Sequence, residues 1–334
     1  MYLKMEKYDI ALSPNPFGLI NNGVICYFNS FLQILSGCTA FTAMVLKNEE
    51  YMSKTGTGLA MYNFVKLYME NVAPISSGLA SQTQIILNAL ITALNERRPG
   101  HNTFGRGQES AHEVFILLLD MMEPIEYEAE AEFTEFSSII SSIKSPITKL
   151  FLHKCEWNTC CLQCHKNLSK KIDYGVIFDM HHMESQDTIN YIMTSLNIKR
   201  NELNSPPAFS KFIKTHISPV EGFMCPDCNS DANIYRIYNL RRIPEIVFCS
   251  FNIYYQQNRR VRYIPPYLEF DSSMDDKMRF NIIGQIEHSG SLGGGHYWAR
   301  GLRKDKVYEL NDLSVAPSSF QSTPYTYMVI YHIT

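Results

Sequence analysis

The sequence lacks any long apolar run. Its most apolar stretch, Val114 to Met122, is interrupted by Asp120 and is much shorter than the ~20 residues that a membrane-spanning helix needs. The N-terminal stretch MYLKMEKYDIALSPNPFG has no apolar core of the kind found in signal peptides. We therefore expect a protein that is not secreted, has no membrane partner and works inside the cell, in the cytoplasm, the nucleus or both.

An excess of charge of either sign is also lacking. Lys and Arg together number 30, Asp and Glu together number 33, and the formal net charge is −3. A chain so balanced has no overall field that draws it to nucleic acid or to anionic lipid. We expect no nucleic-acid partner, and we expect any partner to be recognised at a local site.

A metalloprotease motif of the form H-E-x-x-H is absent, so no catalytic metal is expected. Cysteine is present nine times, an odd number. In a chain without an export signal, cysteines are more often reduced thiols and metal ligands than members of a disulfide framework. The apolar fraction of 45% is sufficient for a sizeable core.

Apolar residues with helical spacing dominate the first part of the chain. From about Phe151 onward, short β-branched and aromatic runs such as YGVIF, EIVFCSFNIYY and FNIIGQI predict strands. Helices first and an antiparallel sheet afterwards indicate an α+β fold. We interpret the acidic stretch from Glu123 to Phe133 as a solvated helix face, and the segment from Asn197 to Phe212, with its Pro pair, as a loop or insertion.

Cys26 stands where a loop rich in Gly and Asn, GLINNGVI, gives way to an amphipathic helical pattern, YFNSFLQIL. The dipole and the unpaired N–H groups of a helix N-terminus lower the pKa of a thiol and favour the nucleophilic thiolate. The position therefore suits a nucleophile. A buried structural cysteine is the alternative, and Cys26 taken alone does not decide between the two.

A histidine that could activate such a thiol follows three glycines near the other end of the chain. Gly293 to Gly295 allow a close backbone approach and directly precede His296, which opens the expected strand HYWARGL. After a short basic turn, Arg303 to Lys306, the strand KVYELND is expected to return antiparallel and to bring Asn311 and Asp312 alongside the imidazole. Either side chain could hold the ring in the correct tautomer, which completes a nucleophile, a base and an orienting residue.

Two C-x-x-C pairs predict a structural metal site. Cys161 and Cys164 form one pair and Cys225 and Cys228 the other, with 60 residues between them. Four thiolates close a tetrahedral shell around Zn²⁺, so the metal would stabilise an extended β arm and would not contact substrate. Three further candidate ligands lie near the first pair: Cys155, Cys160 and His165.

Taken together, these motifs resemble those of the ubiquitin-specific proteases, a family of papain-like cysteine deubiquitinases. GLINNGVICYFNSFLQIL is similar to the family's cysteine box, and HSGSLGGGHYWA with YELND is similar to its histidine box. The resemblance covers residues 16–334 and implies one catalytic domain after an N-terminal extension, residues 1–15. It implies a helical thumb, zinc-stabilised β fingers with part of the palm, and a β palm that carries the histidine box: residues 16–145, 146–270 and 271–334, respectively.

The same resemblance implies roles for single residues. Cys26 is the expected nucleophile, His296 the general base, Asn311 the residue that orients it, and Asn21 the side-chain donor to the oxyanion. The substrate-binding residues that it implies are Gln108, Glu113, Gly294, Gly295 and Tyr297.

Two places depart from the family's pattern; the weaker is Val24-Ile25, where the family commonly has Thr before the cysteine, and the stronger is Ser110. Ser110 stands where the family usually has an Asp that faces the arginines of ubiquitin's C-terminal tail. A hydroxyl in place of a carboxylate removes one charge-assisted contact, for which Glu113 compensates in part. The departure concerns affinity for the tail, or the choice of modifier, and leaves the chemistry intact.

The resemblance implies a thiol-dependent hydrolase that cleaves the isopeptide bond after the C-terminal Gly-Gly of ubiquitin. Ubiquitin or ubiquitinated proteins are then the expected partners, and regulatory proteins are possible ones. One structural Zn²⁺ in the fingers is the expected cofactor, with no organic cofactor. The alternatives are an isopeptidase for another ubiquitin-like modifier, which Ser110 keeps open, and a non-catalytic ubiquitin-binding scaffold, against which the complete triad counts.

Overall fold

A computed structural model describes most of the chain. The described residues are 15–70, 77–96, 110–123, 145–231, 233–251, 261–271, 277–291 and 294–334. Gln108, Gly293 and almost all of the acidic stretch lie outside them.

Helices form the first part of the described chain and part of its middle. Their bounds are α1 Cys26–Gly37, α2 Thr39–Lys47, α3 Glu49–Met52, α4 Gly56–Glu70, α5 Ser77–Glu96, α6 Ala111–Met122, α7 Pro146–Phe151, α8 Gln186–Leu196 and α9 Pro206–Lys214. Short 3₁₀ turns add His181–Glu184 and Arg200–Glu202.

Strands make up most of the remainder. Their bounds are β1 His153–Cys161, β2 Asn167–Gly175, β3 Phe178–Asp179, β4 Thr215–Pro219, β5 Ile234–Arg242, β6 Ile246–Ser250, β7 Tyr267–Asp271, β8 Lys277–Ser291, β9 Gly294–Arg303, β10 Lys306–Asn311, β11 Ser314–Ser318 and β12 Thr326–Ile333. The predicted α+β fold is confirmed.

The strands form two sheets. The smaller has the order β2-β1-β5-β4, and the larger has the order β11-β10-β9-β8-β12-β6-β3, with β7 paired to β8. The described pairings are antiparallel except for the parallel pair of β3 and β6. The expected boundaries of thumb, fingers and palm stay a prediction.

Helix α1 lies at the centre of the core. Eleven of its 12 residues are buried, including polar ones, so the polar side of its amphipathic pattern does not face solvent. The buried polar side chains donate to backbone carbonyls: Ser30 Oγ to Cys26 O at 2.8 Å, and Gln33 Nε2 to Phe17 O at 2.6 Å. Hydrogen bonding of this kind removes the need for a solvent-facing side.

Aromatic side chains join α1 and α6 to the larger sheet. The rings of Phe115 and Phe248 stack with centroids 4.6 Å apart, and Phe31 lies 5.1 Å from Phe115. Such buried aromatic contacts contribute large apolar areas to the core. The sheet and the helix that carries Cys26 are therefore one packed unit.

The segment predicted as a loop is largely ordered secondary structure, so that interpretation is wrong. Asn197 ends α8 in a left-handed conformation, and Pro206 opens α9, which continues to Lys214. Pro is favoured at the first helical positions because its missing N–H needs no partner there. The Pro pair thus marks the start of a helix.

Among the described residues, no single helix is long and apolar enough to cross a membrane. Helices α1 and α2 meet the criterion only as a joined pair, which is bent by 85°.

Candidate active site

Cys26 is the first residue of α1, and only 2% of it is exposed. Burial, the largest cause, raises the pKa of its thiol above the ordinary value, and the negative charge of Asp312 adds to the rise. The backbone N–H of Tyr297, which bonds to the thiol, acts in the opposite direction. The prediction that the helix N-terminus lowers this pKa is wrong in net direction because desolvation exceeds the favourable contacts.

The imidazole of His296 is joined to Asn311. His296 Nε2 lies 2.7 Å from Asn311 Oδ1. Strands β9 and β10 are antiparallel neighbours, with Leu310 opposite Ala299, and this register brings the two side chains together. With Nε2 engaged by the amide oxygen, Nδ1 is the ring nitrogen that can exchange a proton with a thiol.

Strand β9 also brings the base to the nucleophile. Tyr297, whose N–H bonds to the Cys26 thiol, is the residue directly after His296. Residues 297, 299 and 303 are buried on the face of β9 that packs on α1, because successive side chains of a strand alternate between its faces. The structure therefore joins His296 to Asn311 and places the backbone of the residue after His296 against the Cys26 thiol.

Asn21 and Asp312 form a second set of contacts beside the thiol. Asn21 Oδ1 accepts a hydrogen bond from the Ile25 N–H at 3.2 Å, and its Nδ2 donates to Asp312 Oδ2 at 2.9 Å. Asn29 Nδ2 donates to Asp312 Oδ1 at 2.8 Å. Asp312, weighed at first as a partner of His296, therefore holds the amide of Asn21 in place.

Asn29 is a site residue that sequence reasoning missed. It lies one turn after Cys26 in an apolar helix, and it is buried at 2% exposure. A buried amide needs hydrogen-bond partners. An Asn at this spacing from a candidate nucleophile is the signal that could have identified it.

Four of the five residues expected to bind substrate lie among the described residues. Gly294, Gly295 and Tyr297 open β9, next to His296, and a Cβ on Gly295 would collide with Ser289 O and the His288 ring. Glu113 is exposed in the first turn of α6, and among the described residues no hydrogen bond or ion pair joins its side chain to Cys26 or His296. Gln108 lies outside the described residues.

Ser110 caps the N-terminus of α6, and its hydroxyl is already engaged. Ser110 Oγ lies 2.7 Å from the hydroxyl of Tyr327, whose ring lies 5.6 Å from that of Tyr297. The same oxygen accepts from the backbone N–H of Glu113 at 3.5 Å. The side chain at position 110 is therefore an uncharged hydroxyl near the site and not a carboxylate.

Four cysteines form a sulfur cluster at one end of the smaller sheet. The Sγ atoms of Cys161, Cys164, Cys225 and Cys228 all lie within 4.8 Å of one another. Two contacts across the pairs, Cys161 to Cys228 and Cys164 to Cys225, measure 3.6 Å each. Ligands about 2.3 Å from a tetrahedral Zn²⁺ lie about 3.8 Å apart, so the cluster has the dimensions of a metal site.

The neighbouring candidates are not part of this cluster. Cys155 Sγ contacts Asp173 O at 3.5 Å, and Cys160 and His165 are not among the grouped ligands.

Comparisons with known proteins identify the family of this chain. Residues 17–331 match the sequence model of the family described as Ubiquitin carboxyl-terminal hydrolase. Proteins named Ubiquitin carboxyl-terminal hydrolase 36 from Drosophila mojavensis and Drosophila virilis are each 20% identical over 332 residues, which is 95% of this chain and 26% of the relative. The chain thus spans about a quarter of the length of these curated relatives.

Solved structures share the fold. The SAGA DUB module of Ubp8, Sgf11, Sus1 and Sgf73 bound to monoubiquitin contains a chain with a TM-score of 0.69 and 16% identity; the match covers 100% of this chain and 71% of that one. The same module bound to ubiquitin aldehyde gives a TM-score of 0.65 at 16% identity, with 100% and 72% covered.

Proposed function

This chain belongs to the ubiquitin carboxyl-terminal hydrolase family, and from that premise we propose that it is a cysteine-type deubiquitinase. The reaction is hydrolysis of the isopeptide bond after the C-terminal Gly-Gly of ubiquitin. One observation carries the proposal: His296 is bonded to Asn311 while the next residue of the same strand donates its N–H to the Cys26 thiol.

Cys26 is the nucleophile and His296 the base. Because burial raises the pKa of the thiol, Cys26 rests protonated at neutral pH, and His296 Nδ1 takes the proton as sulfur attacks the glycine carbonyl. The C–N bond then breaks, and the imidazole gives the proton to the leaving lysine amine. Water, deprotonated by the same ring, hydrolyses the thioester and restores the thiol. Asn311 keeps the ring in the tautomer that this sequence needs.

Asn21 supplies the side-chain donor to the oxyanion. Its Nδ2 is aimed by Asp312 and its Oδ1 by the N–H of Ile25, so the amide is held in place before substrate arrives. Held donors of this kind contribute about 3 to 4 kcal/mol to the transition state because they need no reorganisation. During turnover Nδ2 has two hydrogens, one for Asp312 and one for the oxyanion.

The sulfur cluster would hold one Zn²⁺, and the role of the metal would be structural. Four cysteine thiolates leave no open position for a substrate or a water, so the ion would tie the β1–β2 turn to the segment between β4 and β5. The metal then stabilises the smaller sheet and takes no part in the reaction.

Ubiquitin, free or attached to other proteins, is the partner that this chemistry requires. The solved neighbours are complexes that contain ubiquitin or ubiquitin aldehyde together with Sgf11, Sus1 and Sgf73, which supports ubiquitin and further proteins as partners here. Nine free thiols among the described residues are compatible with a reducing, intracellular location. The scaffold alternative is not favoured by the match of residues 17–331 to a hydrolase family.

The test is reaction with ubiquitin that carries an electrophile at its C-terminus, followed by intact-protein mass spectrometry. We expect a mass increase of one ubiquitin in the unmodified chain and in Cys160→Ala, a control outside the site, and none in Cys26→Ala. The proposal would fail if the folded, zinc-loaded protein formed no adduct, or if Cys26→Ala formed one.

A further inference from the structure

Arg303 does not belong to an exposed basic turn, as its sequence context suggested. It ends β9, and only 2% of it is exposed. Its guanidinium donates from Nε to the Tyr68 hydroxyl at 2.6 Å, and from Nη2 to Gln33 O at 2.6 Å and Gln33 Oε1 at 3.1 Å. A further bond runs from Nη1 to Leu302 O at 2.9 Å. One side chain thus joins β9, α1 and α4.

The surrounding backbone is built to admit this side chain. A Cβ on Gly37, the last residue of α1, would collide with Arg303 Nη1, and a Cβ on Gly301 would lie 2.9 Å from the same atom. The guanidinium carbon lies 5.4 Å from the centre of the Tyr68 ring. Replacing either glycine would therefore displace the guanidinium.

Neutral oxygens hold the buried charge. Among the described residues, the acceptors of the guanidinium's hydrogen bonds are a phenol oxygen, an amide oxygen and two backbone carbonyls. Burial raises the pKa of Tyr68, so its hydroxyl keeps its proton and donates it to Gln33 Oε1 at 3.2 Å. A buried cation without a carboxylate is costly to place, and an apolar side chain would fill the space at lower cost. The arrangement therefore points to a geometric role.

The joined elements are the two that carry the proposed catalytic pair. Helix α1 has Cys26 at its first residue and Gln33 two turns later, while β9 has His296 near its start and Arg303 at its end. Gln33 Nε2 also donates to Phe17 O at 2.6 Å, in the segment that leads to the oxyanion donor. A rotation or slide of α1 on β9 would change the distance between the thiol and the imidazole.

We propose that Arg303 is a positioning residue: by joining α1 to β9 through Gln33 and Tyr68 it sets the separation of Cys26 and His296. The effect of Arg303 on catalysis rests on the proposed function. Its geometry can be tested without turnover, because the pH dependence of Cys26 alkylation reports how the thiol and the imidazole interact.

The experiment compares Arg303→Met with Arg262→Met in the full chain. Arg262 is a matched control, because it is also a buried arginine (9% exposed) but pairs with a carboxylate, that of Glu184 at 3.3 Å. The measurements are kcat and KM on a ubiquitin C-terminal amide substrate, the rate of Cys26 alkylation by iodoacetamide from pH 5 to 10, and the melting temperature. A misplacement of ~1 Å can lower the chemical step ~100-fold.

For Arg303→Met we therefore expect kcat to fall roughly 10- to 100-fold with KM within about twofold, and a changed alkylation profile. Arg303→Lys, which can reach one acceptor but not all, should recover part of kcat. Arg262→Met should change the melting temperature alone. If Arg303→Met does not fold, Tyr68→Phe, which keeps the ring and removes one acceptor, should show the same changes on a smaller scale.

Unchanged kcat and alkylation in a folded Arg303→Met variant would overturn the proposal, as would equal losses in Arg303→Met and Arg262→Met. If the wild type turns over no ubiquitin substrate, the proposed function fails. The alkylation profiles then decide about Arg303 by themselves: a profile changed in Arg303→Met and unchanged in Arg262→Met supports the role, and identical profiles exclude it.

Discussion

Asn311 and Asp312 are neighbours in the chain but take different partners. Asn311 is the last residue of β10 and faces His296, whereas Asp312 has a φ of 50° and begins the turn to β11. A left-handed residue redirects the chain, so the carboxylate turns toward Asn21 and Asn29. Asn and Asp are among the residues that tolerate this conformation without glycine.

Replacing Asp312 by Asn should separate two effects of one carboxylate. The negative charge raises the pKa of Cys26, so its loss should lower that pKa and move the alkylation profile of the thiol to lower pH. Turnover should nevertheless fall, by about tenfold or more, because an amide has one acceptor oxygen and can no longer accept from both Asn21 and Asn29, so the Asn21 amide is held less firmly. Iodoacetamide labelling across pH and kcat measurements on a ubiquitin substrate check both.

The control is Asp305→Asn, which removes an exposed carboxylate from the β9–β10 turn and should change neither quantity. A profile in Asp312→Asn that stayed in place, or moved to higher pH, would contradict the electrostatic role assigned to Asp312.

At the scale of the element, β1 of the smaller sheet carries one strongly paired acid. Glu156 contacts Arg241 at 2.7 Å and Lys170 at 2.9 Å. Hydrogen bonds from Arg241, then from Lys170 and Asn158, lower the pKa of this carboxyl to about 2. The ion pairs connect the central strand β1 to both of its neighbours, β2 and β5.

The stability contributed by Glu156 should therefore depend on pH in a defined window. Because the folded pKa is lowered, the contribution is complete above the usual value of about 4.5 and is lost as the pH falls toward about 2. Glu156→Gln should be less stable than the wild type at pH 7, and the difference should shrink from pH 4.5 downward. Urea unfolding followed by circular dichroism at a series of pH values measures it.

The comparison uses the difference in unfolding free energy between variant and wild type. Any effect of acid that both proteins share, such as loss of a bound metal, cancels in that difference. Glu50→Gln removes an exposed acid on α3 that forms no ion pair among the described residues; it serves as the control and should show no pH-dependent difference. A Glu156→Gln difference that stayed constant down to pH 2 would show that the paired charge contributes nothing.

At the scale of the whole molecule, the sulfur cluster and the catalytic site lie in different sheets. The four cysteines belong to the smaller sheet and its connections, whereas His296 and Asn311 belong to the larger one. Loss of the metal should thus damage the smaller sheet first, and the thiol chemistry should be affected less.

We expect one zinc per chain by atomic absorption or inductively coupled plasma mass spectrometry. Cys225→Ser should lose the metal and lower the melting temperature, because a closed four-sulfur shell stabilises structure. It should raise KM for ubiquitin substrates more than it lowers kcat, because the metal takes no part in the chemical step. Cys160→Ser should keep the metal. Retained zinc in Cys225→Ser, or a loss of kcat at unchanged KM, would contradict this assignment.

The parts of this protein that could be predicted from sequence are those with local causes. Helical periodicity and β-branched runs predicted the order of helices and strands, and the spacing of C-x-x-C pairs predicted a cluster that the structure contains. The cysteine and histidine boxes were sufficient for the family. The roles of Cys26, His296, Asn311 and Asn21 stay predictions until they are tested.

The predictions that were wrong depended on surroundings that a sequence does not display. The pKa of Cys26 follows from burial, which exceeds the effect of the helix N-terminus. The polar residues of α1 are buried because other segments cover them. The local sequence from Arg303 to Lys306 predicted a basic turn. Arg303 is instead buried, because glycines of α1 and β9 leave room for its side chain.

The sequence by itself determined which chemical groups are available: a cysteine before a helix, a histidine and an asparagine on adjacent strands, and four paired thiols. Each of these depends on short-range propensity and spacing. The tertiary structure alone decided that Asp312 contacts Asn21, that burial raises the pKa of the Cys26 thiol, and that Arg303 joins α1 to β9. These outcomes depend on contacts between residues nearly 300 positions apart, where burial and charge act through space and not along the chain.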